Sequence, residues 1–215
     1  MTFWDKYMSH DTRRIEPLEE RPGSYVVLDT ETTGLHPWES SLTEIGAILV
    51  VNGKEVGDFE QLIDPGEHIP EKISELTGIT DDMVAGQPGP AAAMRRLHSW
   101  LDAGDLVARE ARADGPLPIL AHNAVFDLGF LDHAEHAAWP DRFQLARRYL
   151  CIKEMSWEID PDKHHHRVAD LIVDFGIGDE EEHRALSDAR QEHRIYLALC
   201  AEADRRGLWD IGGER

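Results

Sequence analysis

Two acidic side chains stand at the end of an apolar run, where carboxylates are locally unusual. Asp29 and Glu31 directly follow the segment 25–28, whose sequence YVVL is typical of a buried strand. Because side chains alternate along a strand, these two residues project from the same face. Like charges side by side cost free energy unless something neutralises them, and hard divalent cations bind oxygen ligands. The pair indicates either a metal site or a strand end whose acids point into solvent.

A third carboxylate, Asp127, lies in the first turn of a predicted helix within the segment AHNAVFDLGFL. An acid near a helix N-terminus gains roughly 0.3–1 kcal/mol from the helix dipole, so alone Asp127 is a helix-stabilising residue. His122 and Asn123 then serve as a loop and cap before that helix. Yet Asp127 and the first pair both follow the C-terminal ends of predicted core strands, where open α/β sheets place their sites.

A histidine and a fourth carboxylate lie close together near the C-terminus. His183 and Asp188 are five residues apart in the segment HRALSDA. On one continuous helix this spacing separates them by roughly 140° around the axis. Both reach one site only if His183 lies in the loop ahead of the helix and Asp188 points in from its first turns. Alone, the pair favours a surface histidine.

The elements that must position these residues alternate between strands and helices. An Asn52-Gly53 pair between two strand-like runs predicts a β-hairpin, because both residues tolerate the positive φ of a tight turn. The predicted order is strand, hairpin, helices, strand, helix, strand and helices, that of a mixed α/β sheet covered by helices. In chain order these elements are a strand at 25–28, hairpin strands at 45–51 and 54–63, helices at 70–76 and 90–101, a loop or frayed helix end at 102–116, a strand at 118–121 and the helix after it, a strand at 149–152, and helices at 168–175 and 185–206.

Composition and charge limit the function classes. The chain has 215 residues, 41% of them hydrophobic, which suits one domain with a sizeable core. Its 22 Lys and Arg against 42 Asp and Glu give a net charge of −20. A field of that sign repels polyanions and disfavours a protein that wraps or slides along a long duplex. Weak, distributive binding of a few nucleotides remains compatible with it.

Cysteine usage and hydropathy predict a cytoplasmic protein. Cys151 and Cys200 are too few for a disulfide framework. No run approaches the roughly 18 apolar residues of a membrane span, and the N-terminus lacks the apolar core of a signal peptide.

Together, the three acidic segments resemble the three exonuclease motifs of the DEDDh (DnaQ-like) 3′–5′ exonucleases. VVLDTETTGL, AHNAVFDLGFL and HRALSDA occur in the family's order. The resemblance covers about residues 24–207, leaving 1–23 as an N-terminal extension and 208–215 as a short C-terminal tail. It implies a ribonuclease H-like α/β fold: a mixed five-stranded sheet, a hairpin plus parallel strands, flanked by helices. It also implies a general base, His183, and four metal ligands: Asp29, Glu31, Asp127 and Asp188.

The resemblance implies a two-metal mechanism. Two Mg²⁺ or Mn²⁺ ions about 3.5–4 Å apart would activate water and neutralise charge around one phosphate. Asp29 is the natural bridging ligand, and neutral His183 would accept the proton of the attacking water.

The resemblance also implies a set of substrate-binding residues: Thr32, Thr33, Gly34, Leu35, Leu76, Gly78, Ile79, His122, Asn123 and Phe126. Of these, Phe126 is also a good core residue. Many proofreading relatives carry His at the position of Thr77, beside Leu76 and Gly78.

The implied activity is release of nucleoside 5′-monophosphates from the 3′ ends of single-stranded or frayed DNA. One alternative is a 3′–5′ exoribonuclease or short-oligonucleotide nuclease with the same site. An alternative of another class is a non-catalytic polymerase-accessory module, which the presence of all five motif residues disfavours. The chain ends soon after its last predicted helix, which favours a free-standing enzyme. The alternative that residues 1–23 contact a polymerase or repair partner is left open.

The remaining histidines and cations have simpler interpretations. The consecutive side chains of His164, His165 and His166 diverge on a loop, so we expect no dedicated metal site there. Cations that border the predicted site are expected to be mostly solvated rather than bound to phosphates: Arg147, Arg148, Lys163, Arg167 and Arg184.

Overall fold

A five-stranded mixed sheet forms the centre of the computed structural model, which describes residues 21–113, 116–139 and 147–208. The strands are β1 (Tyr25–Thr32), β2 (Leu42–Val51), β3 (Lys54–Leu62), β4 (Ile119–Ala121) and β5 (Tyr149–Cys151). Their order in the sheet is β3-β2-β1-β4-β5. The hairpin strands β2 and β3 continue antiparallel from β1, while β4 and β5 run parallel to β1. This confirms the predicted fold class.

Helices cover both faces of the sheet. They are α1 (Glu71–Thr77), α2 (Asp81–Val84), α3 (Pro90–Glu110), α4 (Ala124–Ala138), α5 (Ile152–Ile159), α6 (Val168–Asp174) and α7 (Ala185–Arg206). Alternate residues of β1 contact opposite layers, because successive strand side chains point to opposite faces. Val26 and Leu28 pack with α3 and α4, whereas Tyr25 and Val27 pack with α5, α6 and α7. β1 is therefore apolar on both faces, as its sequence indicates.

The hairpin turn follows the predicted chemistry. Asn52 and Gly53 both have positive φ, at 49° and 74°, which the tight turn between two twisted strands requires. The first hairpin strand begins at Leu42, three residues earlier than predicted, and all ten of its residues are buried.

Helix α3 and the last strand also differ from the prediction. α3 continues through much of the region predicted as a loop or frayed helix end, because Asp105 on its buried face binds Arg147 through two hydrogen bonds of 2.9 and 2.8 Å. The last strand is shorter than predicted and runs directly into α5, a helix that the sequence analysis missed. Its apolar residues Ile152, Met155 and Ile159 have helical spacing and are buried.

Other predicted features lie largely outside the described residues. Of the N-terminal extension, the structure describes only 21–23, and of the C-terminal tail only Leu208. None of the helices within the described ranges is long and apolar enough to cross a membrane.

Candidate active site

The motif carboxylates of β1 and α4 meet at one edge of the sheet. Asp29 and Glu31 lie near the C-terminal end of β1, and Asp127 lies in the first turn of α4, directly after β4. Because β1 and β4 are parallel neighbours, their C-terminal ends share an edge. Thr30, between the two β1 acids, donates a hydrogen bond of 2.8 Å from Oγ1 to Oδ1 of Asp127. This contact joins the first two motifs directly.

The start of α7 brings the third motif onto the same edge. Gly46 on β2 pairs with Asp29 in the sheet, and α7 crosses directly over it. A Cβ atom placed on Gly46 would lie 2.0 Å from the backbone nitrogen of Leu186 and 2.1 Å from the carbonyl carbon of Ala185. Only a residue without a side chain permits this approach. Asp188, in the first turn of α7, is thereby held beside the β1 acids.

His183 lies in the loop before α7, where the five-residue spacing requires it. Ligand atoms of Glu31, His183 and Asp188 all lie within 4.8 Å of one another. His183 has φ 52°, a left-handed conformation that is uncommon for a residue with a side chain and that clusters at functional sites. Asp188 steadies this loop by accepting a hydrogen bond of 3.1 Å from the Glu182 backbone nitrogen.

Burial raises the pKa of every motif carboxyl group. Desolvation, together with neighbouring acids led by Asp188, raises the pKa of Glu31 to about 8. Desolvation likewise raises the pKa of Asp127 to about 7 and that of Asp188 to about 6. The pKa of Asp29 lies well above its ordinary value because of desolvation and of four acidic neighbours. The cluster therefore holds its full negative charge near neutral pH only at a cost that a cation would relieve.

This donor set fits divalent cations of the hard class. Glu31 and Asp188 converge with the His183 imidazole, and Asp29 and Asp127 lie close enough to raise the pKa of Glu31 or of each other. Hard cations such as Mg²⁺ and Mn²⁺ prefer carboxylate oxygens. Within the part of the chain that the structure describes, the group with metal-ligand spacing is the one formed by Glu31, His183 and Asp188.

A fifth carboxylate of the cluster, Glu192, was missed from the sequence. It is buried on α7, one turn after Asp188. Its Oε2 accepts a hydrogen bond of 3.0 Å from the backbone nitrogen of His122, which ties α7 to the start of α4. Among the charges that raise the pKa of Asp29, Glu192 contributes most. The i, i+4 spacing from Asp188 places both acids on one helix face and was the available signal.

The predicted substrate residues divide into exposed and buried groups. Leu35 and Leu76 are exposed by 74% and 53% of their surface. Asn123 is also exposed, at the start of α4. Thr32, the last residue of β1, and Thr33 after it are buried. The Oγ1 of Thr32 donates to the Gly34 carbonyl at 2.6 Å, and that of Thr33 donates to Glu67 at 2.6 Å.

Other predicted substrate residues support the surface from beneath or adjoin it. The Ile79 side chain is fully buried against Ile69 and Val84. Phe126 is partly buried and packs on Phe130 and the core. Gly78, with φ 72°, ends α1 beside the exposed Leu76.

His122 and the histidine run form one buried network. His122 is buried, and desolvation lowers its pKa to about 4. Its Nε2 contacts the His166 carbonyl at 2.5 Å, so that nitrogen carries the proton and donates. The His166 ring in turn contacts Ser156 at 2.7 Å, while His164 and His165 are exposed. Of the run, His166 is therefore structural.

Four of the five bordering cations are paired with acids. Arg147 binds Asp105 in the interior, and Lys163 binds Asp174. The other two pairs are Arg167 with Asp170 and Arg184 with Glu44. The fifth cation, Arg148, is exposed.

Comparison with known proteins shows that the chain is similar to exonucleases and to DNA polymerases. The RNase T exonuclease family model matches residues 26–117. PolC-type DNA polymerase III of Lacticaseibacillus paracasei is 31% identical over 194 residues, which cover 89% of this chain and 12% of the polymerase. A putative bifunctional exonuclease/endonuclease protein of Mycobacterium tuberculosis is 33% identical over 202 residues, or 90% of this chain and 29% of that protein. The chain thus spans a small part of these relatives.

Solved exonucleases share the fold. Exonuclease X, in complex with 5′-overhanging duplex DNA, has a TM-score of 0.62 and 21% identity, over 88% of this chain and 99% of that one. The nuclease domain of 3′hExo, a DEDDh family member bound to rAMP, has a TM-score of 0.67 and 14% identity, over 84% of this chain and 92% of that one.

The sheet and its flanking helices define the class of the fold, which is ribonuclease H-like. Within that class, residues 26–117 match the RNase T exonuclease family, and the chain is similar over most of its own length to a small part of the PolC-type DNA polymerases III.

Proposed function

We propose that this protein is a metal-dependent 3′–5′ exonuclease that removes nucleoside 5′-monophosphates from the 3′ ends of single-stranded or frayed DNA. The observation that carries the proposal is the close group of Glu31, His183 and Asp188, beside which Asp29 and Asp127 bring two further acids. The exonuclease domain proposed here spans residues 24–207. Relatedness to DNA polymerases favours DNA over RNA as the substrate.

In this proposal the carboxylates hold the cations and the histidine moves the proton. Asp29, Glu31, Asp127 and Asp188 bind two Mg²⁺ or Mn²⁺ ions. When bound, the ions neutralise the charge that develops on the scissile phosphate. His183 accepts the proton of the attacking water, because a neutral imidazole is the side chain suited to that step near neutral pH.

The exposed leucines provide the selectivity for a chain end. Leu35 and Leu76 flank the 3′-terminal nucleotide with apolar surface, and Asn123 supplies a polar contact beside it. Gly34 keeps the loop compact, since a Cβ atom there would lie 2.5 Å from Ser40 Oγ. The backbone around Thr32, Thr33 and Gly78 completes the pocket, while Ile79, His122 and Phe126 support it.

Digestion of a 5′-labelled oligomer tests the proposal. The wild-type protein is expected to shorten single-stranded DNA stepwise from the 3′ end with Mg²⁺ or Mn²⁺, and not with EDTA. Asp29→Asn is expected to reduce the rate at least about a thousandfold, because the change removes a charged ligand without changing shape. Asp102→Asn, on the exposed surface of α3, is the matched control and keeps the wild-type rate.

Three outcomes would contradict parts of the proposal. Wild-type rates in Asp29→Asn would overturn the metal assignment. Faster digestion of an RNA oligomer of equal sequence would assign the site to RNA instead. Binding of oligomers without any metal-dependent cleavage would favour the polymerase-accessory module.

A further inference from the structure

A buried glutamate outside the three motifs holds the start of α7. Glu44 on β2 is fully buried, in a strand that is otherwise apolar around it. Its Oε1 accepts a hydrogen bond of 2.7 Å from Arg184, and its Oε2 accepts one of 3.1 Å from the same guanidinium. The Oε2 also accepts a hydrogen bond of 3.0 Å from the backbone nitrogen of Ala185. A helix leaves its first N–H groups without partners of its own, and Glu44 satisfies one of them.

The position of Glu44 in the sheet links this contact to the candidate active site. Glu44 pairs directly with Glu31 across β1 and β2, so the two side chains project from the same face. Glu31 is one of the three residues whose ligand atoms cluster within 4.8 Å. Both oxygens of Glu44 are engaged by Arg184 and Ala185, which distinguishes Glu44 from the carboxylates proposed to hold cations.

The residue that gains most from this contact is His183. It precedes Arg184 and lies outside α7, so no helical hydrogen bond fixes it, and its φ of 52° is a strained conformation. Such a conformation persists only where neighbours hold it. Asp188 lies inside the helix and is also fixed by the close approach of α7 to Gly46.

We propose that Glu44 is a positioning residue, which clamps Arg184 and the Ala185 N–H and thereby holds His183 against Glu31 and Asp188. The inference rests on the proposed function, since it assigns Glu44 an effect on turnover through His183. A displacement of about 1 Å at a reacting group can cost about a hundredfold in rate. Metal binding by the carboxylates is expected to depend less on this clamp, because Asp188 is also held by the close approach of α7 to Gly46.

Glu44→Gln tests the clamp with little change in side-chain shape. The expected result is a kcat lowered about tenfold to a hundredfold, with KM and the Mn²⁺ affinity measured by calorimetry unchanged within about twofold. Arg190→Gln is the matched control, because Arg190 on the same helix also bridges to two acids of the hairpin, Glu55 and Asp58, away from the site. It is expected to keep the wild-type kcat. A wild-type kcat in Glu44→Gln would overturn the proposal.

A double-mutant cycle separates positioning from general destabilisation. If Glu44 acts through His183, adding Glu44→Gln to His183→Ala lowers the rate by less than about threefold further. A full multiplication of the two effects would overturn the proposal. Should Glu44→Gln fail to fold, Arg184→Gln removes the same clamp from its partly exposed side and is expected to act in the same direction.

Hydrogen exchange supplies a readout that does not need nuclease activity. Without substrate or metal, Glu44→Gln is expected to speed amide exchange in a peptide covering 182–187 relative to Arg190→Gln. Unchanged exchange would contradict the clamp even in an active enzyme. Faster exchange in a protein that proves to lack nuclease activity would retain the clamp and reject the proposed function, so the two failures are distinguishable.

Discussion

His183 and Asp188 reach the same cluster by different means. Asp188 belongs to the first turn of α7 and also accepts a hydrogen bond from the Glu182 backbone. His183 sits in a loop with a positive φ. A histidine in this place has two chemical uses, as a proton acceptor or as a metal ligand, since its ring lies near both Glu31 and Asp188. The two uses predict different phenotypes for its removal.

We predict that His183→Ala lowers kcat by about 10²–10⁴-fold, the usual range for loss of a general base. The Mn²⁺ affinity measured by calorimetry is expected to stay within about threefold of wild type. His165→Ala, in the exposed part of the histidine run, serves as the control and is expected to be silent. A large fall in Mn²⁺ affinity with His183→Ala would assign the residue as a ligand instead.

The sequence predicted the acids that belong to the three motifs and missed two buried acids outside them. Asp29 and Glu31 end an apolar run, so their spacing carried a signal. Glu44 and Glu192 are buried acids whose roles depend on partners far along the chain, Arg184 and His122. A single sequence does not specify such contacts, because they arise only when β2, α4 and α7 pack together.

At the scale of elements, the site depends on how closely α7 approaches β2. The helix passes directly over the backbone of Gly46, and this packing sets the height of Asp188 above β1. The same approach places Ala185 within reach of Glu44. The succession of strands and helices along the chain was predictable from apolar periodicity and turn residues, and the mixed five-stranded sheet from the resemblance to the exonuclease family. The role of Gly46 was not predicted, because a glycine within a strand-like run does not indicate which element packs against it.

Gly46→Ala is therefore predicted to damage both stability and activity. A Cβ atom there would lie within 2.5 Å of three backbone atoms of Ala185 and Leu186, and backbone cannot rotate away as a side chain can. Overpacking of this kind costs typically about 1–3 kcal/mol, and the displaced helix is expected to lower kcat by about a hundredfold. Urea denaturation and the oligomer assay measure the two effects.

Gly57→Ala provides the comparison for this prediction. Gly57 also lies in the hairpin, but a Cβ atom there would come no closer than 4.0 Å to the Leu49 side chain. Its free energy of unfolding is expected to change by less than about 1 kcal/mol, with a wild-type kcat. Equal behaviour of the two variants would show that α7 does not depend on close contact at Gly46.

At the scale of the whole molecule, the chain carries a net charge of −20, and part of that charge lies at the candidate active site. Part of the excess acid is gathered at one edge of the sheet, where the acids repel one another and lose hydration. Such a cluster makes the metal-free protein less stable whenever its carboxyl groups must ionise. It also makes the affinity for cations depend on pH, because protons compete for the same oxygens.

We predict that the metal-free protein loses stability as the pH rises from 6.5 to 8.5. The pKa values of Glu31 and Asp127, about 8 and about 7, lie above those of an unfolded chain, near 4. The folded state therefore binds more protons than the unfolded state in this range, and its stability falls as these protons leave. His122, whose pKa is lowered to about 4 by burial, acts in the opposite sense, but only below about pH 6.5.

Thermal melting at fixed ionic strength measures this effect. The Tm in EDTA is expected to fall by several degrees between the two pH values, since 1 kcal/mol corresponds to roughly 2–4 °C in a domain of this size. Mn²⁺ is expected to raise the Tm more at pH 8.5 than at pH 6.5, because the carboxylates bind the ion only when deprotonated. Asp127→Asn, which has no carboxyl proton to lose, is expected to flatten the dependence in EDTA. A Tm in EDTA that stays constant or rises with pH would contradict the prediction. It would mean that the clustered acids are already ionised at pH 6.5, so that their burial and crowding do not govern the stability of the protein.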